Sequence, residues 1–301
     1  LTARKATGLS TRKVAALLAP RLAITHATLA NYENGKTLPP MPLLTLLADL
    51  YARPLTWFLQ PGPTLSGIRY RAHSSKLSIA DKHRYEGTCL RWLDAYIRLE
   101  QALNKPLRAE IPLSQVPGGL SPRQLAAHLR TALELGQGPI PSVVTLLERL
   151  GIRTLEVETA LPLWALAATM DGTPVVALNP RASADRCRLT AAHELGHLLL
   201  GHCAPSAAPL SEKDLEAAAY EFASCLLIPP AELEKACRPR SAVALCQYKE
   251  QFGISMAAMI YAARREDILS ESLTKRLWIE FAKRGWRENE PGTVRADRAL
   301  R

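Results

Sequence analysis

The sequence contains no run of about 18 apolar residues, the length a membrane-crossing helix requires, so no membrane partner is expected. No secretory leader is evident at its start, and the expected compartment is the cytoplasm. The cysteines Cys89, Cys187, Cys203, Cys225, Cys237 and Cys246 include no C-x-x-C pair. That spacing reads as free thiols of a reducing compartment, most of them core filler. No internal repeat or low-complexity tract is present. Acidic residues are in deficit, 28 Asp and Glu against 38 Lys and Arg, for a formal net charge of +10. A surplus of that sign suits a polyanionic partner.

The chain does have the length and apolar content for two cores. Its 301 residues are 48% hydrophobic, which predicts two domains. The strongest chemical signal is His193-Glu194-Leu195-Gly196-His197. On a helix, positions i and i+4 share one face, so the two imidazoles can hold one Zn²⁺ while Glu194 serves as general base. The flanking Leu189, Ala192, Leu195, Leu198 and Leu199 give that helix an apolar face.

A catalytic zinc site needs a third protein ligand. Ser211 to Pro230 reads as a second helix, begun by Ser211 and Asp214 and stopped by Pro229-Pro230. Leu215, Ala219, Phe222 and Leu226 form its apolar stripe. Glu216 is the favoured third ligand and Glu221 its main competitor. Glu212 and Asp214 suit the helix start better, and His202 lies too far round the first helix. Zn²⁺ is the expected ion, with Mn²⁺ as the alternative.

The HELGH helix and the segment from Glu216 to Pro229, E-x-x-A-x-x-F-A-x-x-L-L-I-P, resemble the ImmA/IrrE family of metallo-endopeptidases. Val175 to Asn179 and Arg186 to Thr190 resemble the strand and lead-in before the family's zinc helix. The resemblance covers about residues 120 to 235. It implies a zincin-like fold, with His193, His197 and Glu216 on the metal and Glu194 catalytic. It also implies cleavage of a transcriptional repressor in response to a signal such as DNA damage or mobile-element activity. The family often has Asn or Asp where Tyr220 stands. The sequence identifies no oxyanion donor, although Tyr220, His202 and Tyr248 are candidates.

Near the start, Ser10 and Thr25 read as caps of two short helices, with Asn34-Gly35 as a turn and a further helix through Leu43, Leu44, Leu47 and Leu50. Residues 1–60 hold seven Lys/Arg and two Asp/Glu. This stretch resembles the XRE helix-turn-helix family, which implies DNA as a partner. Thr25, His26, Thr28 and Asn31 would then face bases, and Arg12 and Lys13 phosphate. The chain opens at Leu1 with little of the usual first helix, as expected of an upstream start or a non-ATG codon.

The expected fold is α+β. A helix-turn-helix domain (1–60) precedes a linker with a helical segment (61–119). A zincin-like peptidase domain with a small mixed sheet (120–236) and a helical C-terminal region with a flexible tail from Glu288 (237–301) follow. Three strands are expected, near 152–158, 163–169 and 174–178, and a helix over 85–103. The basic stretch 69–84 reads as phosphate contacts or a solvated face. Two functional classes follow: a DNA-guided endopeptidase acting on a repressor protein, or a transcription regulator whose zincin-like domain is a sensor or scaffold. The oligomeric state is left open, a dimer included.

Overall fold

The structure, a computed structural model, describes residues 1–59, 64–72, 77–170, 172–201, 211–239 and 241–297. The Pro61-Gly62-Pro63 linker, His202 and Cys203 lie outside the described residues. The chain divides into two compact units, Leu1–Ser66 with Ser74–Pro106 and Gly67–His73 with Leu107–Arg301.

The first unit is helical: α1 (Thr2–Thr7), α2 (Thr11–Leu18), α3 (His26–Glu33), α4 (Met41–Leu50), α5 (Leu55–Phe58) and α6 (Ile79–Ala102). Ser10 accepts from the Lys13 N–H and Thr25 from the Thr28 N–H, so both helices of the helix-turn-helix begin on side-chain caps. Val14, Leu18, Leu29, Leu43 and Leu47 close the core between them, each full burial contributing about 2 kcal/mol. Arg4 grips both carboxylate oxygens of Glu33 at 2.7 Å, tying α1 to the end of α3. The helix expected from residue 85 begins six residues earlier, where Ser78 accepts from the Asp81 N–H. Its first turns, Ile79 to Arg84, have no apolar period, and only the cap marks them. α6 buries Tyr85, Cys89 and Leu93 and pairs Glu86 with Lys5 of α1 at 3.1 Å.

The second unit carries a four-stranded sheet in the order β1-β3-β4-β2. Its strands are β1 (Leu65–Ala72, belonging here from Gly67 on), β2 (Arg153–Glu156), β3 (Leu163–Met170) and β4 (Thr173–Leu178). β3 runs antiparallel to β4, with Ala165 opposite Leu178, and β2 runs parallel to β4, with Arg153 opposite Val175. β1 is the strand the sequence reading missed. Its alternation of Ile68 and Tyr70 with Arg69 and Arg71 is too short and too charged to stand out from a solvated basic stretch.

Around the sheet lie α7 (Pro122–Ala132), α8 (Val143–Arg149), α9 (Ala184–Leu199), α10 (Glu212–Leu227), α11 (Pro230–Cys237), α12 (Ala242–Phe252), α13 (Met256–Arg265) and α14 (Glu271–Lys283). Leu129, Leu147, Phe222, Phe252, Met259 and Phe281 belong to one continuous core. The residues from 237 on are therefore part of the same body as the sheet and not a separate layer.

The tail expected to be flexible from Glu288 is anchored as far as the structure describes it. Glu290 accepts from the N–H groups of Met256 and Ala257 at the start of α13 and from Lys249. Asp297 accepts from the hydroxyl of Ser142 and the N–H of Val143 at the start of α8, and from Arg188 of α9. Charge density gave the tail its disordered appearance; two of its carboxylates, with side chains 11% and 3% exposed, instead cap helix N-termini.

Candidate functional site

α9 is buried on nearly every side from Thr190 to His197. In the turn before it, the Asn179 side-chain amide donates to the Thr159 and Leu163 carbonyls at 2.9 Å each, and its oxygen accepts from the Arg181 N–H. α10 packs directly on α9, and Gly196 is the reason the two approach so closely. A Cβ there would stand 2.9 Å from Phe222 Cδ1 and 3.2 Å from the backbone of Ala219. The glycine inside the motif thus has a packing role and brings Glu216 up to the two histidines.

His193 Nε2 and His197 Nε2 lie 3.0 Å apart. Glu216 presents Oε2 to His193 at 3.2 Å and Oε1 to His197 at 3.1 Å. The three side chains form a metal-capable group, two of them buried. Tetrahedral zinc with ligand bonds of about 2.0–2.2 Å sets its donors about 3.3–3.5 Å apart. The donor spacing here is within a few tenths of an ångström of that, so the set fits such an ion. Burial holds the His193 imidazole down to about 3, leaving it in the neutral form that offers a lone pair. Hydrogen bonds with His193 and His197 hold the Glu216 carboxyl well below the usual carboxylate range.

Glu194 is 1% exposed. Burial pushes its carboxyl up to about 8, with the Arg71 charge the first influence opposing it. Its Oε1 has no hydrogen-bond partner among the described residues, an arrangement that suits a group whose partner is the reacting molecule.

The competitors for the third position are placed elsewhere. Glu221 bonds Arg265 at 2.7 Å, Glu212 pairs with Arg69, and Asp214 sits at the capped start of α10. Tyr248 stacks on Phe252, while Tyr220 stays near the site, its ring centre 6.5 Å from that of His193.

Sequence reasoning missed Arg69 and Arg71. Both stand on β1 and line a cavity of about 270 Å³ with Glu194, His197, Glu212 and Glu216. Arg69 also reaches Glu216 Oε1 at 3.4 Å. The two-residue spacing of the arginines was the available signal. Beside this cavity lies a larger cleft of about 640 Å³, lined by Arg71, Trp164, Tyr220 and Tyr261 among others.

In the first unit, Arg12, Lys13, Thr25, His26 and Asn31 are exposed and Thr28 is half-buried. Thr28 shares a 2.9 Å hydrogen bond between hydroxyls with Thr25. The start of α3 thus offers its polar side chains to solvent while Leu29 fills the core.

No described helix is long and apolar enough to cross a membrane. Residues 147–264 match the profile of a peptidase family described as the IrrE N-terminal-like domain. Residues 2–58 match that of a family described as helix-turn-helix. No curated protein matches the chain. The chain therefore joins an XRE-type helix-turn-helix domain to an IrrE/ImmA-like domain of a metallopeptidase family, as a DNA-binding regulator would.

Proposed function

We propose that the protein is a regulatory zinc endopeptidase that cleaves a transcriptional repressor or a similar regulatory protein in a stress or mobile-element response. The observation that carries this reading is the convergence of His193, His197 and Glu216 beside a buried Glu194 that no described residue engages at Oε1. The two imidazole Nε2 atoms and a Glu216 oxygen would hold Zn²⁺, or Mn²⁺ as the alternative. Such an ion supplies Lewis acidity, making water more acidic and the scissile carbonyl more electrophilic. Glu194, ionised where a bound cation offsets the burial that raises its carboxyl, would take the proton of the attacking water and hand it to the leaving amine. Arg69 holds Glu216 in place, and α10 presses that residue onto α9.

The helix-turn-helix domain gives the activity a location. Arg12 and Lys13 would meet phosphate, and Thr25, His26, Thr28 and Asn31 base edges. A repressor bound to the same DNA is then at high effective concentration.

The test is co-expression with the short helix-turn-helix repressor encoded nearest to the gene. Wild type should cleave it at one site. Glu194→Gln should retain zinc and DNA binding and lose cleavage. Unchanged regulation by Glu194→Gln in cells would favour a sensor or scaffold and sink the peptidase reading.

A further inference from the structure

Peptide hydrolysis at this centre assigns work to Glu194 and to the metal-binding set, but leaves Arg71 without a role. Arg69 and Arg71 are two residues apart on β1, so their side chains leave the same face of the strand. Arg69 is committed. It bonds Glu212 and reaches Glu216, one helical turn apart on α10, with only 18% of its side chain exposed. These contacts fasten β1 beside the start of α10.

Arg71 follows about 7 Å along the strand. It lines the cavity that holds Glu194, His197 and Glu216 and also the larger cleft that continues to Trp164, Tyr220 and Tyr261; among the described residues no other lines both. Its charge acts on His193, Glu194 and Tyr220. A peptide entering the centre from the cleft passes this guanidinium. Tyr220, a polar side chain of the same cleft, packs edge-on against Tyr261 with ring centres 5.4 Å apart.

Hydrolysis creates a need for such a group. As the water oxygen bonds to the carbonyl carbon, the carbonyl π pair moves onto its oxygen and Glu194 takes the water proton. Collapse returns that pair, breaks the C–N bond, and passes the proton from Glu194 to the departing amine. Between those events the oxygen carries a full negative charge, and fixed donors facing it account for much of the catalysis. Guanidinium stays charged and offers paired N–H groups.

We propose that Arg71 is a catalytic residue that stabilises this oxyanion, delivered by a strand that precedes the peptidase-family segment in sequence. The proposal rests on the peptidase reading.

The test uses the zinc-loaded full chain and two ligands followed by calorimetry. One is a phosphinic Ala-Ala dipeptide, whose phosphinate mimics the tetrahedral intermediate. The other is acetohydroxamate, which takes the metal and needs no oxyanion donor. Arg71→Ala should weaken the phosphinate by about 10–100-fold and leave zinc content and acetohydroxamate affinity unchanged, and Arg71→Lys should recover part of the loss. Unchanged phosphinate affinity in Arg71→Ala, with acetohydroxamate still binding, would overturn the role of Arg71 alone. Tighter phosphinate binding would also overturn it and mark β1 as a strand that screens the cleft. Failure of the wild type to bind acetohydroxamate in a zinc-dependent way would instead sink the metal-centre reading beneath it.

Discussion

Arg69 Nη2 lies 3.4 Å from Glu216 Oε1, the same oxygen that stands 3.1 Å from His197 Nε2. One carboxylate oxygen is thus shared between an imidazole and a guanidinium from a strand more than 140 residues away in sequence. Groups that hold a ligating carboxylate are worth about 10–100-fold in metal affinity. Arg69→Ala should lower zinc affinity by about tenfold with the fold intact, as read by competition with a chromophoric chelator. Unchanged affinity would mean that α10 alone positions Glu216.

Gly196 should resist substitution for reasons of space. An added methyl meets Phe222 and the Ala219 backbone, and overpacking of this kind costs about 1–3 kcal/mol. Gly196→Ala should lower the melting temperature and, by pushing α10 off α9, weaken zinc binding too. A melting temperature equal to that of the wild type would show that the helices can part without cost.

DNA binding should depend on salt through Arg12 and Lys13. Each phosphate contact contributes about 0.9 to the slope of log affinity against log salt concentration. The Arg12→Ala, Lys13→Ala double variant should therefore flatten that slope by about 1.8, equally on specific and unrelated DNA. His26→Ala and Asn31→Ala should instead reduce the preference for the specific site. An unchanged slope in the double variant would place the phosphate contacts elsewhere on the domain.

Cys187 should alkylate slowly at neutral pH. Burial pushes its thiol up to about 11, and its Sγ lies 3.6 Å from the carbonyls of Asn179 and Ala182. The thiolate is the nucleophile. Because the pKa is raised, the rate should keep climbing about tenfold per pH unit beyond pH 9, where an ordinary thiol levels off near its pKa of about 8.5. Iodoacetamide labelling of the native protein followed by mass spectrometry reads this directly. A plateau below pH 9 would show the thiol to be in contact with water.

The elements with a periodic apolar face were legible from the sequence, and those made by tertiary pairing were not. The stripe Leu215, Ala219, Phe222 and Leu226 announced α10, and all four residues are buried. Ser10 and Thr25 announced α2 and α3 because a cap is a local event. β1 depends on β3, about a hundred residues later in sequence, and its own short, charged alternation does not announce a face to bury. The placement of Glu216 opposite His193 and His197 was expected from the motif. That Arg69 would share the carboxylate depends on the sheet edge and not on any spacing. α11 escaped because Pro229-Pro230 reads as a stop, although Pro230 at the first helical position is also a start.

The Arg188–Asp297 pair spans 109 residues, with side chains 6% and 3% exposed. Its consequence is kinetic. Closing so long a loop costs only modest entropy once, but it makes the contact late and slow to find. Arg188 meets the Ile140 and Pro141 carbonyls ahead of α8 at shorter range in sequence, whereas the carboxylate that joins it to the start of α8 awaits the return of the segment around Asp297. During refolding, competence to bind metal should therefore lag behind helix content, and the interval measures how long the segment around Asp297 takes to reach α8 and α9.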